Sequence, residues 1–309
     1  SSSAASDVYK RQALFCSVLF LLALAFGTVL RQHLPSDINL QSELVQFIFD
    51  TTKSPRNIFS YIFFIIQKFF SGVDNMPIIV DNNMDEEIIN ALRRKFPQKK
   101  LIKSFPMTSI SAPLNTHPDI QIHFLSSNTA VCAPECYDYY AQFSKNIDNL
   151  LCGTLVPENT YPLDVAYNVA RVGNYVISNI RYTEPKIIEY YQSHGYTILN
   201  TKQGYAKCNL CIADRSAVIT EDANIYSVLS DVLNIECLAV EKGNVLLPGY
   251  PYGFIGGASG LVEDTLVFTG KITDNRIIKF LEEREIDFFE AGNGQLKDFG
   301  SIIFGGDDH

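Results

Sequence analysis

The chain has no excess of basic residues: 25 Lys and Arg stand against 34 Asp and Glu, and the formal net charge is -9. Its Lys and Arg are scattered, whereas proteins that bind nucleic acid concentrate them in a patch or stripe. We therefore expect no nucleic-acid partner. The sequence also lacks a Gly-x-Gly-x-x-Gly motif and a Gly-Lys-Ser/Thr motif, so a nucleotide site is not indicated and no cofactor is predicted.

A disulfide framework is also missing. The seven cysteines are irregularly spaced along 309 residues, a pattern typical of reduced intracellular thiols, and the cytoplasm is the predicted location. Cys208 and Cys211 lie three positions apart. On a straight strand such positions point to opposite faces, so these two thiols should not share a metal, and no metal site is predicted.

The longest apolar runs lie before residue 76. Residues 13–30 form an uncharged run just long enough to cross a bilayer, and residues 57–70 form a shorter one. Residues 1–12 resemble a translated sequencing adapter, so we interpret them as an adapter scar. Residues 13–75 are then either a membrane anchor or the translation of unrelated upstream DNA. Only a native segment 13–30 would anchor the protein and bring a membrane partner.

One domain is predicted over residues 76–309, because Met76 is the first methionine and no long linker follows it. With 47% hydrophobic residues the chain can bury a full core. Short apolar strands that each follow a turn and precede a helix recur in this range. Their spacings are 45, 43 and 48 residues, counted from Thr129, Asn174, Ala217 and Thr265. Ile78 begins a similar strand 51 residues before Thr129. Fixed periods of this size indicate a repeat architecture.

Helices follow these strands. The predicted helices begin with an acidic residue or Asn and carry apolar residues at helical spacing, over 135–147, 184–194, 222–233 and 274–285. Five ββαβ units without polar capping repeats favour a five-fold pseudo-symmetric α/β-propeller, and an open sheet of five units is the alternative. In the propeller, the first strand of each unit lines the axis and the helices lie outside.

Five motifs carry a resemblance to known enzymes: HPDIQIHF, YPLDVAYNVARVGN, KQGYAKCNLCIAD, YGFIGGASG and DFGSIIF. Together they resemble the guanidino-group-modifying enzymes of the pentein (α/β-propeller) fold, which include arginine deiminases and amidinotransferases. More closely, they resemble an uncharacterised bacterial family assigned to that fold. The resemblance covers roughly residues 76–305. It implies a pentein domain, preceded here by the apolar N-terminal segment, and chemistry at a guanidino or amide-type C–N bond.

The resemblance also implies a division of roles. In the characterised enzymes a cysteine on the last strand attacks the guanidinium carbon, a His-x-Asp histidine transfers protons, and carboxylates bind the substrate nitrogens. His117 and Asp119 match that motif as acid/base and orienting carboxylate. No cysteine follows Cys237 in this sequence, and Ser301 stands on the last strand instead. Cys208 and Ser301 are therefore the candidate nucleophiles.

The residues themselves leave alternatives at each of these positions. Pro118 favours an extended chain, in which His117 and Asp119 face the same side of a strand. The alternative is a turn whose aspartate accepts backbone N–H bonds. The neighbouring Lys207 is expected to lower the pKa of the Cys208 thiol and activate it. A buried, unreactive thiol is the alternative there.

The predicted substrate-binding residues line the axis. Asp119, Asp164 and Lys207 each precede the reference residue of their unit by ten positions, so they should lie at equivalent depth. Two carboxylates and an ammonium group suit a small zwitterionic or amine-bearing ligand, which is the predicted partner. The full predicted binding set is Asp164, Asn168, Lys207, Ser259, Asp298 and Ser301.

Two classes of function follow. The first is a hydrolase or transferase that acts on a guanidino or amide-type C–N bond of a small amine-bearing molecule. The second is a non-catalytic propeller that binds a small molecule or a protein. A lowered thiol pKa at Cys208 with His117 within reach favours the enzyme. An axis without a nucleophile near His117 favours the binding module.

Overall fold

A computed structural model describes residues 76–127 and 129–305, and these residues lie in one compact unit. The predicted adapter scar and the apolar segment that follows it, residues 1–75, lie outside the described residues. No helix in the described part of the chain is both long enough and apolar enough to cross a membrane.

The fold consists of five three-stranded sheets. In each sheet the central strand pairs antiparallel with one neighbour and parallel with the other. The strands are β1 (Ile78–Val80), β2 (Leu101–Lys103), β3 (Ile122–Ser126), β4 (Thr129–Cys132), β5 (Asn149–Cys152), β6 (Ala170–Val172), β7 (Tyr175–Ser178), β8 (Thr197–Asn200), β9 (Leu210–Ile212), β10 (Ala217–Thr220), β11 (Glu236–Ala239), β12 (Ser259–Val262), β13 (Thr265–Phe268), β14 (Asp287–Glu290) and β15 (Ile303–Phe304).

Four sheets repeat one ββαβ unit. Each takes its three strands from one continuous stretch, in the order β3-β4-β5, β6-β7-β8, β9-β10-β11 and β12-β13-β14. The first strand of each unit is almost wholly buried, whereas the last is partly exposed. We call the buried first strands the inner strands. Together with the fifth sheet, these units confirm the predicted α/β-propeller of five units.

The fifth sheet joins the two ends of the described chain. Strand β15 pairs antiparallel with β1, so that Ile78 lies opposite Phe304 and Ile79 opposite Ile303. Strand β2 pairs with β1 on its other side, in parallel. The inner strand of the first unit therefore comes from the C-terminal end of the domain. This pairing was not predicted, because the repeat read from Ile78 onward contains no strand for that position.

The helices lie between the central and last strands of the units. They are α1 (Glu86–Lys95), α3 (Tyr137–Ala141), α4 (Pro185–Ser193), α6 (Ala223–Ser230) and α7 (Asn275–Glu282), and two single-turn helices, α2 (Pro118–Gln121) and α5 (Ala206–Asn209), precede inner strands instead. The acidic residue predicted at the start of the helix acts as the N-cap of α6: the Asp222 carboxylate accepts hydrogen bonds from the backbone N–H groups of Asn224 and Ile225. The helix predicted over 135–147 is shorter in the structure, where α3 ends at Ala141. Beyond that residue, backbone N–H groups bond to the carbonyl three positions earlier, as the Phe143 N–H does to the Tyr140 carbonyl.

Candidate active site

His117 and Asp119 lie at the entry to the inner strand β3. His117 is extended (φ -65°, ψ 116°) and caps α2, and Pro118 occupies the first helical position, where a missing N–H costs nothing. Asp119 therefore lies in a helical turn and not on a strand. The prediction that His117 and Asp119 share one face of a strand was wrong, because the proline begins a helix here.

The carboxylates beside the His117 ring are Asp81 and Asp298. The ring Nε2 is 3.9 Å from Asp81 Oδ2 and the ring Nδ1 is 3.9 Å from Asp298 Oδ1. All three side chains are buried, and His117 Nδ1 has no hydrogen-bond partner among the described residues. Burial raises the pKa of both carboxyls, and the neighbouring His117 opposes that shift. Two carboxylates other than Asp119, those of Asp81 and Asp298, therefore lie beside the imidazole.

Asp81 is a member of this cluster that the sequence did not reveal. It directly follows β1, and its carboxylate accepts hydrogen bonds from the Asn83 backbone N–H (2.6 Å) and the Thr116 hydroxyl (2.9 Å). Thr116 is the residue before His117, so this bond ties the first unit to the second. The only signal for Asp81 was its position at the end of an apolar strand before a helix.

Asp298 is held by backbone N–H groups. Its two carboxylate oxygens accept from Phe254 and from Gly300, each at 2.9 Å. Two glycines allow the surrounding backbone to approach. A Cβ on Gly257 would lie 2.0 Å from Asp298 Oδ1, and a Cβ on Gly300, which has φ +65°, would lie 2.3 Å from His117 Cβ. Only glycine fits at these two positions.

Asp119 is hydrogen-bonded to both candidate nucleophiles, Cys208 and Ser301. Its Oδ2 accepts a hydrogen bond from the Cys208 thiol at 2.8 Å and from the Ser301 hydroxyl at 2.9 Å. Its other oxygen, Oδ1, is buried without a partner in the described part of the chain. The Asp119 N–H donates to the Gly300 carbonyl at 3.2 Å. One carboxylate thereby joins the second unit, the fourth unit and the segment that leads into β15.

Asn168 positions Cys208. Its side-chain Oδ1 accepts from the backbone N–H groups of Lys207 (2.8 Å) and Cys208 (3.2 Å), and its Nδ2 donates to the Cys208 sulfur at 3.2 Å. These bonds fix the single-turn helix α5 against the third unit. An amide is suited to this task because it carries both a donor and an acceptor.

The surroundings of the Cys208 thiol oppose its ionisation. Burial raises its pKa well above the ordinary range, and the negative charges of Asp119 and Asp298 raise it further. The prediction that Lys207 lowers this pKa was wrong. Lys207 and Cys208 are adjacent in α5, but the thiol points to the Asp119 carboxylate, whereas Lys207 lines a separate cavity.

The other predicted binding residues lie apart from this cluster. Asp164 accepts a hydrogen bond from the Tyr205 hydroxyl, and its second oxygen is buried without a partner in the described chain. Ser259 begins the inner strand β12, and its hydroxyl donates to the Gly256 carbonyl at 3.4 Å. Of the three residues expected at equal depth, Asp119 and Lys207 line one cavity and Asp164 does not.

That cavity lies among the inner strands, and we call it the central cavity. Its volume is about 40 Å³, and residues of β3, β6, β9 and β15 contribute to its wall. Its polar lining residues are Asp119, His123, Arg171 and Lys207, and the others are apolar or aromatic. Asp119 therefore separates the central cavity from the cluster around His117.

Comparison with solved structures finds similar proteins of low sequence identity. DDAH from Pseudomonas aeruginosa, in complex with citrulline, is 10% identical over 75% of this chain and 95% of that chain, with a TM-score of 0.46. An inosamine-phosphate amidinotransferase from Streptomyces griseus is 12% identical over 70% of this chain and 78% of that chain (TM-score 0.44). An amidinotransferase from Microseira wollei, in the saxitoxin biosynthetic pathway, is 14% identical over 66% and 73% (TM-score 0.43).

The comparison with curated proteins found no match. A family model matches residues 79–303, and its description is "Family of unknown function (DUF6873)". The matched range includes every residue of the cluster around His117 and the whole lining of the central cavity apart from Phe304.

Proposed function

Since the chain belongs to DUF6873, a family of unknown function, we propose its activity from the geometry of its own site. The protein is a hydrolase or transferase that acts on a C–N bond of a cationic guanidino or amidino group in a small molecule. The observation that carries this proposal is the set of three buried carboxylates, Asp81, Asp119 and Asp298, gathered around one histidine and two candidate nucleophiles.

The three carboxylates are the groups that would bind the cationic group of the substrate. Burial raises the pKa of Asp81 and Asp298, the neighbouring His117 opposes this shift, and the charge of Asp119 adds to it, so ionised carboxylates are costly here unless a cation lies beside them. A planar guanidinium group relieves this, because its N–H donors match carboxylate oxygens in pairs. Asp119 Oδ1 and His117 Nδ1 supply two buried hydrogen-bonding atoms that lack a partner in the described chain.

Cys208 is the proposed nucleophile. Cys208 and Ser301 donate to the same Asp119 oxygen, and of the two a thiol is the stronger nucleophile once its proton has moved to a carboxylate. Burial and the charges of Asp119 and Asp298 oppose its ionisation in the free protein. A bound guanidinium cation offsets those charges, so the thiol is activated by the substrate that it attacks.

The reaction then proceeds in two stages. The Cys208 sulfur attacks the guanidinium carbon, its proton passes to Asp119, and a C–S bond forms. The C–N bond breaks as His117 protonates the departing nitrogen, so ammonia or an amine leaves. Water attacks the same carbon in the second stage and gives one proton to His117 and one to solvent. The C–S bond breaks, the Cys208 sulfur takes its proton back from Asp119, and a urea is released. If an amine attacks in place of water, the product is a new guanidine.

The test is a turnover screen of arginine, agmatine, methylated arginines and creatine-like compounds, with release of ammonia or amine as the readout. We expect Cys208→Ser and His117→Ala to lose at least ~100-fold in kcat/KM. Cys237→Ser is the matched control, because Cys237 is a partly buried thiol on β11, outside the cluster. Full turnover by Cys208→Ser rejects the assigned nucleophile, and no binding of any compound by folded protein rejects the substrate class.

A binding module on the same fold is the second candidate, and the pKa of the Cys208 thiol favours it, because burial raises that pKa where an activated nucleophile would have a lowered one. The cluster is closed, since Asp81, His117, Asp119, Cys208, Asp298 and Ser301 are each at most 3% exposed. A non-catalytic protein would hold a cationic ligand at the carboxylates without consuming it. Calorimetric binding of an arginine analogue with no product after prolonged incubation supports this candidate over the enzyme.

A further inference from the structure

Asp164 is a buried carboxylate with one oxygen that has no hydrogen-bond donor. The residue is 5% exposed. Its Oδ2 accepts a hydrogen bond from the Tyr205 hydroxyl, whereas Oδ1 is buried without a partner among the described residues. No ion pair joins Asp164 to a Lys, Arg or His side chain in the described ranges, 76–127 and 129–305. An ionised carboxylate in such surroundings is costly unless a cation lies beside it.

The groups that stabilise the ionised form of Asp164 are neutral. Burial raises the pKa of this carboxyl, and hydrogen bonds from Tyr205 and from its own backbone N–H oppose that shift. Both donors leave the negative charge of the carboxylate uncompensated. A cation beside Oδ1 would supply the missing charge and a hydrogen bond at the same atom.

An aromatic cluster lies next to Asp164. The ring of Tyr205 is 5.5 Å from the ring of Tyr161 and 6.2 Å from the ring of Phe254. The Tyr161 hydroxyl accepts a hydrogen bond from the Gly204 backbone N–H at 3.2 Å, which holds this side chain against the segment that leads into α5. Tyr161 is 51% exposed. The cluster therefore extends from the protein surface to a tyrosine that is bonded to the buried carboxylate.

We propose that Asp164, together with Tyr161 and Tyr205, forms a binding site for the protonated amine of a small molecule. An ammonium group supplies both the positive charge and the N–H donor that Oδ1 lacks. The alkyl part of the ligand packs on the tyrosine rings, whose faces also attract cations. A primary ammonium suits the site better than a quaternary one, because only the primary group can donate a hydrogen bond to Oδ1.

This site is separate from the three carboxylates around His117. Asp164 contacts Tyr205, and none of the hydrogen bonds of Asp81, Asp119 or Asp298 in the described chain involves either residue. The amine site therefore does not depend on the reaction proposed at Cys208. It can be tested by binding alone.

The probe is n-butylammonium chloride, added to the full-length chain in place of sodium chloride at constant ionic strength. Binding is measured by calorimetry and by the rise in Tm. Asp164→Asn removes the charge and keeps the size of the side chain, and Asp148→Asn, at an exposed position, is its control. Tyr161→Ala removes the exposed ring and provides a second variant in case Asp164→Asn fails to fold. Its control is Tyr226→Ala, because Tyr226 is 40% exposed and lies on α6.

Tetramethylammonium chloride tests the hydrogen bond, because this cation has the same charge and no N–H group. We expect it to bind to the wild type at least ~10-fold more weakly than n-butylammonium does. Equal binding of the two cations would overturn the assignment of Oδ1 as the acceptor.

The proposal is supported if n-butylammonium binds saturably to the wild type and to both controls, at least ~10-fold more weakly to Asp164→Asn, and about 2–5-fold more weakly to Tyr161→Ala. It is overturned if folded wild type binds no n-butylammonium. It is also overturned if Asp164→Asn binds the amine as tightly as Asp148→Asn does, since the cation would then lie elsewhere. None of these outcomes requires turnover, so they are independent of the guanidino chemistry.

Discussion

The Cys208 thiol donates a 2.8 Å hydrogen bond to Asp119 Oδ2, and the two residues are 89 positions apart in the sequence. Burial is the main cause of the raised pKa of the Cys208 thiol, and the charge of Asp119 adds to it. The same contact provides an acceptor for the thiol proton when a cation neutralises the cluster.

Asp119→Asn should make the Cys208 thiol easier to ionise, because it removes a negative charge next to the sulfur. The measurement is the pH dependence of thiolate absorbance, taken as the difference between each protein and its Cys208→Ser counterpart. Asp138→Asn, on an exposed face of α3, is the control and should leave the titration unchanged. Turnover should fall in Asp119→Asn by at least ~100-fold, since the proton acceptor is lost. An unaltered thiol titration would contradict the role given to Asp119.

Glu221→Gln should change how stability depends on pH. Burial, with a contribution from Asp298, raises the pKa of Glu221 to about 7, and its Oε2 accepts from the Ile255 N–H at 3.0 Å. A carboxyl whose pKa is raised by folding stabilises the protein below the unfolded pKa, and that stability is lost as the pH rises through the folded value. Glutamine keeps an acceptor for Ile255 and has no charge to lose.

The free energy of unfolding of Glu221→Gln relative to the wild type should therefore rise between about pH 5 and pH 8, by about 2–3 kcal/mol. Urea unfolding at the two pH values measures it. Glu241→Gln, at an exposed position, should show no such trend. A difference between Glu221→Gln and the wild type that stays constant with pH would mean that Glu221 is ionised throughout this range.

Gly300→Ala should be more destabilising than a left-handed backbone alone explains. Gly300 has φ +65°, and an added Cβ would lie 2.3 Å from His117 Cβ. Gly195→Ala is a matched control, because Gly195 has φ +78° and nothing within 4 Å of the added Cβ. Gly195→Ala should cost about 1–2 kcal/mol for the backbone, and Gly300→Ala a further ~1–3 kcal/mol for the overlap. Equal losses in denaturant unfolding would show that the site relaxes around the methyl group.

Asn168→Ala should destabilise α5 and make the Cys208 thiol more accessible. The substitution removes the acceptor of two backbone N–H groups and the donor to the sulfur, and buried N–H groups left without a partner cost about 1–3 kcal/mol each. We expect a loss of stability of about 2–6 kcal/mol for the two groups together and faster alkylation of Cys208, measured with Cys208→Ser as the blank. Asn179→Ala, on an exposed loop, is the control. Unchanged alkylation would mean that Asn168 does not hold the thiol in place.

Much of the fold followed from patterns that are local in the sequence. Apolar strands at intervals of 45, 43 and 48 residues, each leading into a helix with an acidic cap such as Asp222, are sufficient to predict five ββαβ units. Such patterns are readable because hydrophobic spacing and capping depend on neighbours a few positions away. For the same reason His117, Asp119 and Cys208 were recognisable as candidates from their residue types.

Tertiary packing decided the contacts between these units. The pairing of β15 with β1, the approach of Asp81 and Asp298 to His117, and the bond from Cys208 to Asp119 each join segments far apart in the sequence. The thiol pKa depends on burial and on charges brought by other units, so its neighbour Lys207 could not predict it. Residue types thus indicated which groups were available, and the packing of five inner strands determined which of them meet.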